Sequence, residues 1–300
     1  MNRFAGVLLA LGGIVLWGLF PIYWKLLTHL DAFEVLAHRI LWSVPFLGLV
    51  LYASRELGQA WHSFRQPGKL KVLIFSSLMI TFNWGMYIWA VGVNKVVEAS
   101  MGYFLSPLMS VVLGLTVFHE RLRRAQWLAV AIATLAVLSL FVTRDVPPWL
   151  ALGLGASFAS YSALRKIASQ DSVTGLFEET LLLAPFALGF IVFLWLMGQA
   201  GFTAHGLPTL SLALASGIVT ATPLILFVAG GRRMPLSSAG LLFYLTPTIQ
   251  FLIGIFLYHE PLPPVELAAF AAIWLALAIF ASDSYVAGRA SQTRLSEKAR

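Results

Sequence analysis

Apolar residues run through this chain in blocks of eighteen to twenty-five, separated by short polar connections. Ten blocks stand out: 5–24, 33–53, 70–93, 98–118, 124–142, 148–165, 173–197, 207–230, 235–258 and 264–285. A helix needs about 20 mostly apolar residues to cross a bilayer. Within each block the apolar positions are continuous rather than alternating, which argues against a β-barrel. The pattern predicts an all-α integral membrane protein with ten transmembrane helices. The first block continues through Trp17, Gly18 and Phe20 without a small-x-small cleavage site, and reads as a helix rather than a signal peptide. The longest connections are 54–69 and the tail from Val286, which is polar, basic and expected to be mobile.

The blocks repeat. "YFLSPLMSVVLGLTVFHE" (103–120) returns as "YLTPTIQFLIGIFLYHE" (244–260), each with a proline followed by His-Glu. Pro107 and Pro247, Gly114 and Gly254, His119 and His259, and Glu120 and Glu260 share one spacing, as do Asp31 with Asp171 and Pro45 with Pro185. Each unit holds five blocks. Five is odd, so the second unit enters the membrane from the opposite face, the inverted repeat of many secondary transporters. The expected units are 1–145, 146–285 and a cytoplasmic basic tail, 286–300.

Composition agrees with lipid as the solvent. The chain is 59% hydrophobic and 11% charged, against about 25% charged residues in soluble domains. Its net charge of +7 reports topology, not nucleic-acid binding. With the N-terminus in the cytoplasm, sixteen of the twenty Lys and Arg fall in inner segments and only Lys25, Lys95 and Arg144 in outer ones. That bias predicts a multi-pass protein with both termini in the cytoplasm. The absence of cysteine removes disulfides and thiolate metal sites. His-Glu here lacks the second histidine of a zinc motif, and no P-loop signature appears.

Polar groups inside membrane blocks are expensive and point to function. Pro107 lies about 14 Å into its block at 1.5 Å per residue, and Pro247 at similar depth from the other face. Each is either a simple kink or, as a pair, half of a midplane site. Ser106 and Thr246, just before them, are placed to satisfy carbonyls that the prolines free. The spacing aligns His38 and Arg39 with Glu178 and Glu179, and predicts an ion pair between Arg39 and one of those glutamates. Its role is either a lock between the units or a gate or proton site. Glu98 opens the fourth block as a helix N-terminal acid or a coupling contact. Glu120 and Glu260, at block ends, are expected to cap or to pair with loop arginines. Tyr23 and Trp24 read as interface anchors. Trp17, Trp42, Asn83, Trp84, Tyr87, Tyr103, Tyr161, Tyr244 and Gln250 lie deeper, where they either pack or line a cavity for an amphipathic or aromatic solute. Small residues four apart (Ala151, Gly155, Ala159; Ala268, Ala272, Ala276) predict close helix packing.

"AHRILWS" (37–43), "NWGMYIWAV" (83–91), "EASMGYFLSPL" (98–108), "SFASYSALRK" (157–166), "RRMPLSSAG" (232–240) and "YLTPTIQFL" (244–252) resemble the RarD-type branch of the EamA family, in the drug/metabolite transporter superfamily. The resemblance implies two inverted five-helix repeats around a central cavity. It implies a permease for a small organic metabolite or drug-like solute, working by alternating access and associated with chloramphenicol. It also points to His38, Arg39, Glu98 and Tyr103 as residues of transport. Two positions depart from the family's pattern: Ser106 stands where an asparagine precedes the first proline, and Phe243 where a glutamine precedes the second tyrosine. The expected partners are a small organic solute, the lipid bilayer and protons as a coupling ion, with no cofactor and no nucleic acid. An intramembrane enzyme or a channel without ATP use are the competing classes.

Overall fold

The computed structural model describes residues 3–117, 119, 122–143, 148–168, 171–232 and 242–298. Every regular element among them is helical. In chain order these are α1 (Arg3–Gly18), α2 (Phe20–Lys25), α3 (Ala32–Ala53), α4 (Leu57–Phe64), α5 (Leu70–Gly92), α6 (Val96–Thr116) and α7 (Arg124–Thr143). Then come α8 (Trp149–Ala168), α9 (Ser172–Leu196), α10 (Gly201–Ala204), α11 (Gly206–Gly231), α12 (Leu245–Leu252), a π-helical turn (Ile253–Leu257) and α13 (Pro264–Lys298). By length and composition seven spans among the described residues suffice to cross a membrane, and Arg124–Leu140 and Leu245–Leu257 are shorter apolar helices. The 20-residue α8 carries three serines, Arg165 and Lys166. It packs between α5 and α6, so its serines and Arg165 meet protein, while Lys166 is exposed at the helix end.

Local chemistry sets the helix ends. Asp31 Oδ1 accepts from the Phe33 amide at 2.8 Å and Asp171 Oδ2 from the Val173 amide at 3.0 Å, so the two aligned aspartates are N-caps of α3 and α9. His119 and His259, also aligned, both adopt left-handed backbone, φ 52° and 51°. Glu260 caps a different helix from its own: its carboxylate accepts from the Val96 and Val97 amides at 2.8 and 2.7 Å, at the N-terminus of α6. Glu120, Arg144 and the start of the expected ninth block lie outside the described residues.

Packing pairs the helices across the chain. The main partners are α1 with α11, α5 with α8, α6 with α8, α1 with α12, α3 with α9, α3 with α11, α5 with α9, α6 with α12 and α7 with α13. Several of these contacts need glycine. A Cβ on Gly217 would lie 2.1 Å from the Trp42 carbonyl oxygen, and one on Gly102 would lie 2.8 Å from the Ala151 oxygen. The Ala151–Gly155–Ala159 stripe is therefore a packing face, as expected. In α13 the face is Ala269, Ile273 and Ala276 instead, set against Ala129 and Ala133 of α7, while Ala268 is exposed.

The structure adds to two expectations and corrects a third. In the basic tail α13 continues as a helix to Lys298; Ala, Arg, Gln, Leu, Glu and Lys in that stretch are all helix formers. The 54–69 connection contains α4, on which Trp61 and Phe64 stack at 6.0 Å. Trp24 is no interface anchor: it is 1% exposed, packed under Arg39.

Candidate functional site: a cavity around an unpaired arginine

The helices' prolines shape the centre of the bundle. Pro107 has no amide for the carbonyl of Tyr103, one turn back, and the Ser106 hydroxyl donates to that oxygen at 2.9 Å. α6 therefore runs on through its proline. Thr246 behaves differently: its hydroxyl reaches across to the Ile14 carbonyl of α1 at 3.4 Å. The carbonyl that Pro247 deprives belongs to Phe243, and the helix breaks at Tyr244, immediately before α12. Pro21 likewise removes the donor for the Trp17 carbonyl, where α1 gives way to α2. Gln250 Nε2 donates to that oxygen at 3.0 Å, tying α12 to the bend in α1.

Between these breaks lies a cavity of about 160 Å³. Its walls are largely aromatic: Trp17, Phe20, Trp84, Tyr87, Tyr103, Phe158, Tyr161 and Phe243. Asn83 orients Tyr103, accepting from its hydroxyl at 2.9 Å while donating to the Leu154 carbonyl and the Ser157 hydroxyl, both at 3.0 Å. A wider hollow of about 960 Å³ lies between α3, α4 and α9, lined by Gly48, Tyr52, Trp61 and Phe177 among others. That groove is open and apolar, and it lacks the unpaired buried polar atoms found at the centre.

Arg39 lies at the cavity wall, 3% exposed. The expected ion pair with Glu178 or Glu179 is absent. Its guanidinium sits 3.9, 4.9 and 5.5 Å from the ring centres of Trp84, Trp24 and Phe20, and its Nε and Nη1 have no hydrogen-bond partner. Each ring contributes up to about 2 kcal/mol when desolvated, against a penalty of several kcal/mol for burying an ion. The rings supply no acceptor for Nε and Nη1, so those donors stay unsatisfied. Tyr87 Oη, Thr220 Oγ1 and Gln250 Oε1, on the same wall, are also buried without partners.

Glu179 meets a different cation. Its Oε2 accepts from the Tyr161 hydroxyl at 3.0 Å, and its Oε1 lies 3.6 Å from Arg165 Nη1. Arg165 Nη2 donates to the Asp171 carbonyl at 2.8 Å, and Arg232 Nη2 pairs with Asp171 Oδ1 at 2.8 Å. A polar ladder thus runs from Tyr161 in the cavity wall to the exposed ends of α9 and α11. At the other end of the bundle Lys25 donates to the Val91 carbonyl at 3.0 Å and to Asn94, and the Tyr258 hydroxyl donates to the Pro21 carbonyl at 3.2 Å.

Of the residues singled out from the sequence, Trp17, Arg39, Asn83, Trp84, Tyr87, Tyr103, Tyr161, Thr246, Pro247 and Gln250 line the cavity. His38 and Trp42 turn away from it: Trp42 Nε1 donates to His38 Nδ1 at 3.1 Å, and the imidazole packs on Phe202 at 4.9 Å. Glu98 lies in the first turn of α6, 3.8 Å from Lys95. Ser106, Pro107, Glu178 and Tyr244 are also off the wall, and Glu179 stands behind Tyr161. Sequence reasoning missed Phe20, Phe158 and Thr220 as wall residues. A hydroxyl three residues before Pro223 in an apolar run was the available signal for Thr220. Phe243, one of the two departures from the family pattern, lines the cavity; Ser106, the other, does not. Among the described residues no three His, Asp or Glu come together as a metal-binding group.

The profile of the EamA-like transporter family matches residues 4–142. Protein RarD of Streptomyces exfoliatus is 42% identical over 97% of this chain and 92% of its own length. The chain belongs to the EamA family, on its RarD branch. An uncharacterized transporter of Bacillus subtilis, YojE, is 40% identical over 96% of this chain and 97% of its own. A Pseudomonas aeruginosa relative, named chloramphenicol-sensitive protein RarD, is 35% identical over 93% and 94%. One crystal structure of a protein superposes with a TM-score of 0.57 at 20% identity, covering 93% of this chain and 97% of that one; it bears on the fold alone. A multi-pass membrane protein of a transporter family is the functional frame in which the cavity stands.

Proposed function

We propose that this protein is a secondary transporter that moves a small organic solute by alternating access, with the Arg39 cavity as its substrate site. The observation that carries the reading is a central cavity with unpaired polar atoms, walled by helices from both halves of the chain.

Two inverted five-helix units are supported by the packing. Matching α1, α3, α5, α6 and α7 with α8, α9, α11, α12 and α13, every main contact has its counterpart: α1–α11 with α5–α8, α6–α8 with α1–α12, and α3–α11 with α5–α9. The remaining three pairs map onto themselves. Rocking of one unit against the other then opens the cavity alternately to the two faces. The Tyr161–Glu179–Arg165 ladder is the gate on one side. By the distribution of Lys and Arg that side is cytoplasmic, as are both termini. Glu179 is the proton-coupling site of this scheme: its carboxylate, once protonated, releases Arg165 and lets α8 part from α9. Chloramphenicol enters as a solute to test, from the name of the Pseudomonas relative.

Flux in proteoliposomes tests the proposal. Wild type is expected to give saturable, counter-flow-stimulated flux that a pH gradient accelerates. Glu179→Gln is expected to keep exchange and lose the gradient response. Gradient-driven flux that survives Glu179→Gln removes the proton role. Single-channel conductance in a planar bilayer would replace the carrier with a channel.

A further inference from the structure

Accepting the cavity as the substrate site, we infer that its substrate is a small organic acid with a planar apolar body, bound as the monoanion with its carboxylate on Arg39. Among the described residues Arg39 is the only charged one in the cavity wall. It is 3% exposed, and two of its guanidinium nitrogens are unpaired. The nearby carboxylate, Glu179, accepts from Tyr161 at Oε2, and its Oε1, without a hydrogen bond, has its charge balanced by Arg165 at 3.6 Å. A buried guanidinium without a counter-ion is incomplete, and the planar anion it matches best is a carboxylate.

The rest of the wall narrows the class. Aromatic rings from α1, α5, α6 and α8 enclose the space, which suits an aromatic or other flat apolar body. Thr220 Oγ1 and Gln250 Oε1, both unpaired, offer a hydroxyl and an acceptor to one further polar substituent. Among the described residues no acidic side chain lines the wall to balance a substrate ammonium, so zwitterions and cations fit less well than monoanions. The volume of about 160 Å³ is below the roughly 300–1,000 Å³ of drug-sized sites. In this conformation it suits a solute the size of a substituted benzoate.

The test uses the full-length protein in nanodiscs. Intrinsic tryptophan fluorescence, with Trp17, Trp24 and Trp84 around the site, is titrated with benzoate, phenylacetate, benzamide and benzylamine at constant ionic strength. The acids are expected to bind saturably, and benzamide and benzylamine at least about tenfold more weakly. Arg39→Gln, checked for folding by its melting transition, is expected to bring the acids down to the affinity of the amide. Arg39→Lys keeps the charge but loses the planar fork, and is expected to weaken acid binding severalfold. Equal binding of acid and amide by wild type overturns the anion inference and leaves the cavity as a substrate site. So does undiminished acid binding by either folded variant. No saturable binding of any of the four overturns the inference together with the cavity's role.

Discussion

Arg39 and Arg165 are both arginines sunk into the bundle, yet they are resolved in opposite ways. Arg165 has a carboxylate 3.6 Å away and a backbone carbonyl at 2.8 Å. Arg39 has three aromatic rings and no hydrogen-bond partner at Nε or Nη1. A buried ion pair completes itself within the protein, so it joins helices. A buried ion left open costs stability and is completed from outside. The difference between the two sites assigns the first to holding α8 on α9 and the second to a ligand.

The largest expected effect separates the two directly. Arg165→Met leaves Glu179 buried without its cation, and is expected to cost about 3–5 kcal/mol. Thermal unfolding in detergent would show a clear loss. The double variant Arg165→Met/Glu179→Leu is expected to recover most of it, because no lone charge then remains. Arg39→Met strands no partner, so its stability is expected to stay within about 1 kcal/mol of wild type or to rise, while solute flux is lost. Should Arg39→Met unfold as readily as Arg165→Met, the contrast between the sites would be wrong.

Backbone spacing comes next. Gly217 lets α11 touch α3 beside Trp42, only three residues from Arg39. Gly217→Ala places a methyl 2.1 Å from the Trp42 oxygen, where only backbone is present to yield. Overpacking of this kind costs about 1–3 kcal/mol. Because it moves α3 relative to Thr220, flux is expected to fall by more than the lost stability explains. A variant with unchanged flux would mean that the α3–α11 spacing does not set the site. Tyr161→Phe removes a hydrogen bond to a carboxylate, worth about 1.5–3 kcal/mol. The test of its role is the pH response of flux: loss of that response with exchange intact ties Tyr161 to Glu179, and an unchanged response frees it from the gate.

Depth was readable from the sequence, and direction was not. The shared spacing placed Arg39 and Glu179 at similar distances from opposite faces. Successive residues turn by about 100° on a helix, however, and depth says nothing about which neighbour a side chain faces. Arg39 faces α2 and α5, while Glu179 faces α8. The same limit hid the partner of Gln250, which serves the carbonyl freed by Pro21 in a distant part of the chain. Composition gave membrane and helix at once, because both depend on sums over many residues. The aromatic wall was half-visible: Trp84, Tyr87 and Tyr103 stood out as deep amphipathic residues, whereas Phe158 and Phe20 look like any apolar residue in lipid.

The smallest effect probes the two proline sites. In α6 the Ser106 hydroxyl replaces the amide that Pro107 lacks, and the helix continues. In α12 Thr246 is spent on the Ile14 carbonyl, and the helix breaks at Tyr244. Ser106→Ala would leave the Tyr103 carbonyl unpaired and is expected to cost about 1 kcal/mol. In a Pro107→Ala background the restored amide takes that carbonyl, so the serine substitution should become neutral. Thr246→Val is expected to cost a similar amount, but Pro247→Ala should not rescue it, because the bond that Thr246 makes is to α1 and not to its own helix. A rescue at both prolines would show that the two sites are equivalent after all. A rescue at Pro107 alone would show that Ser106 mends its own helix while Thr246 ties α12 to α1.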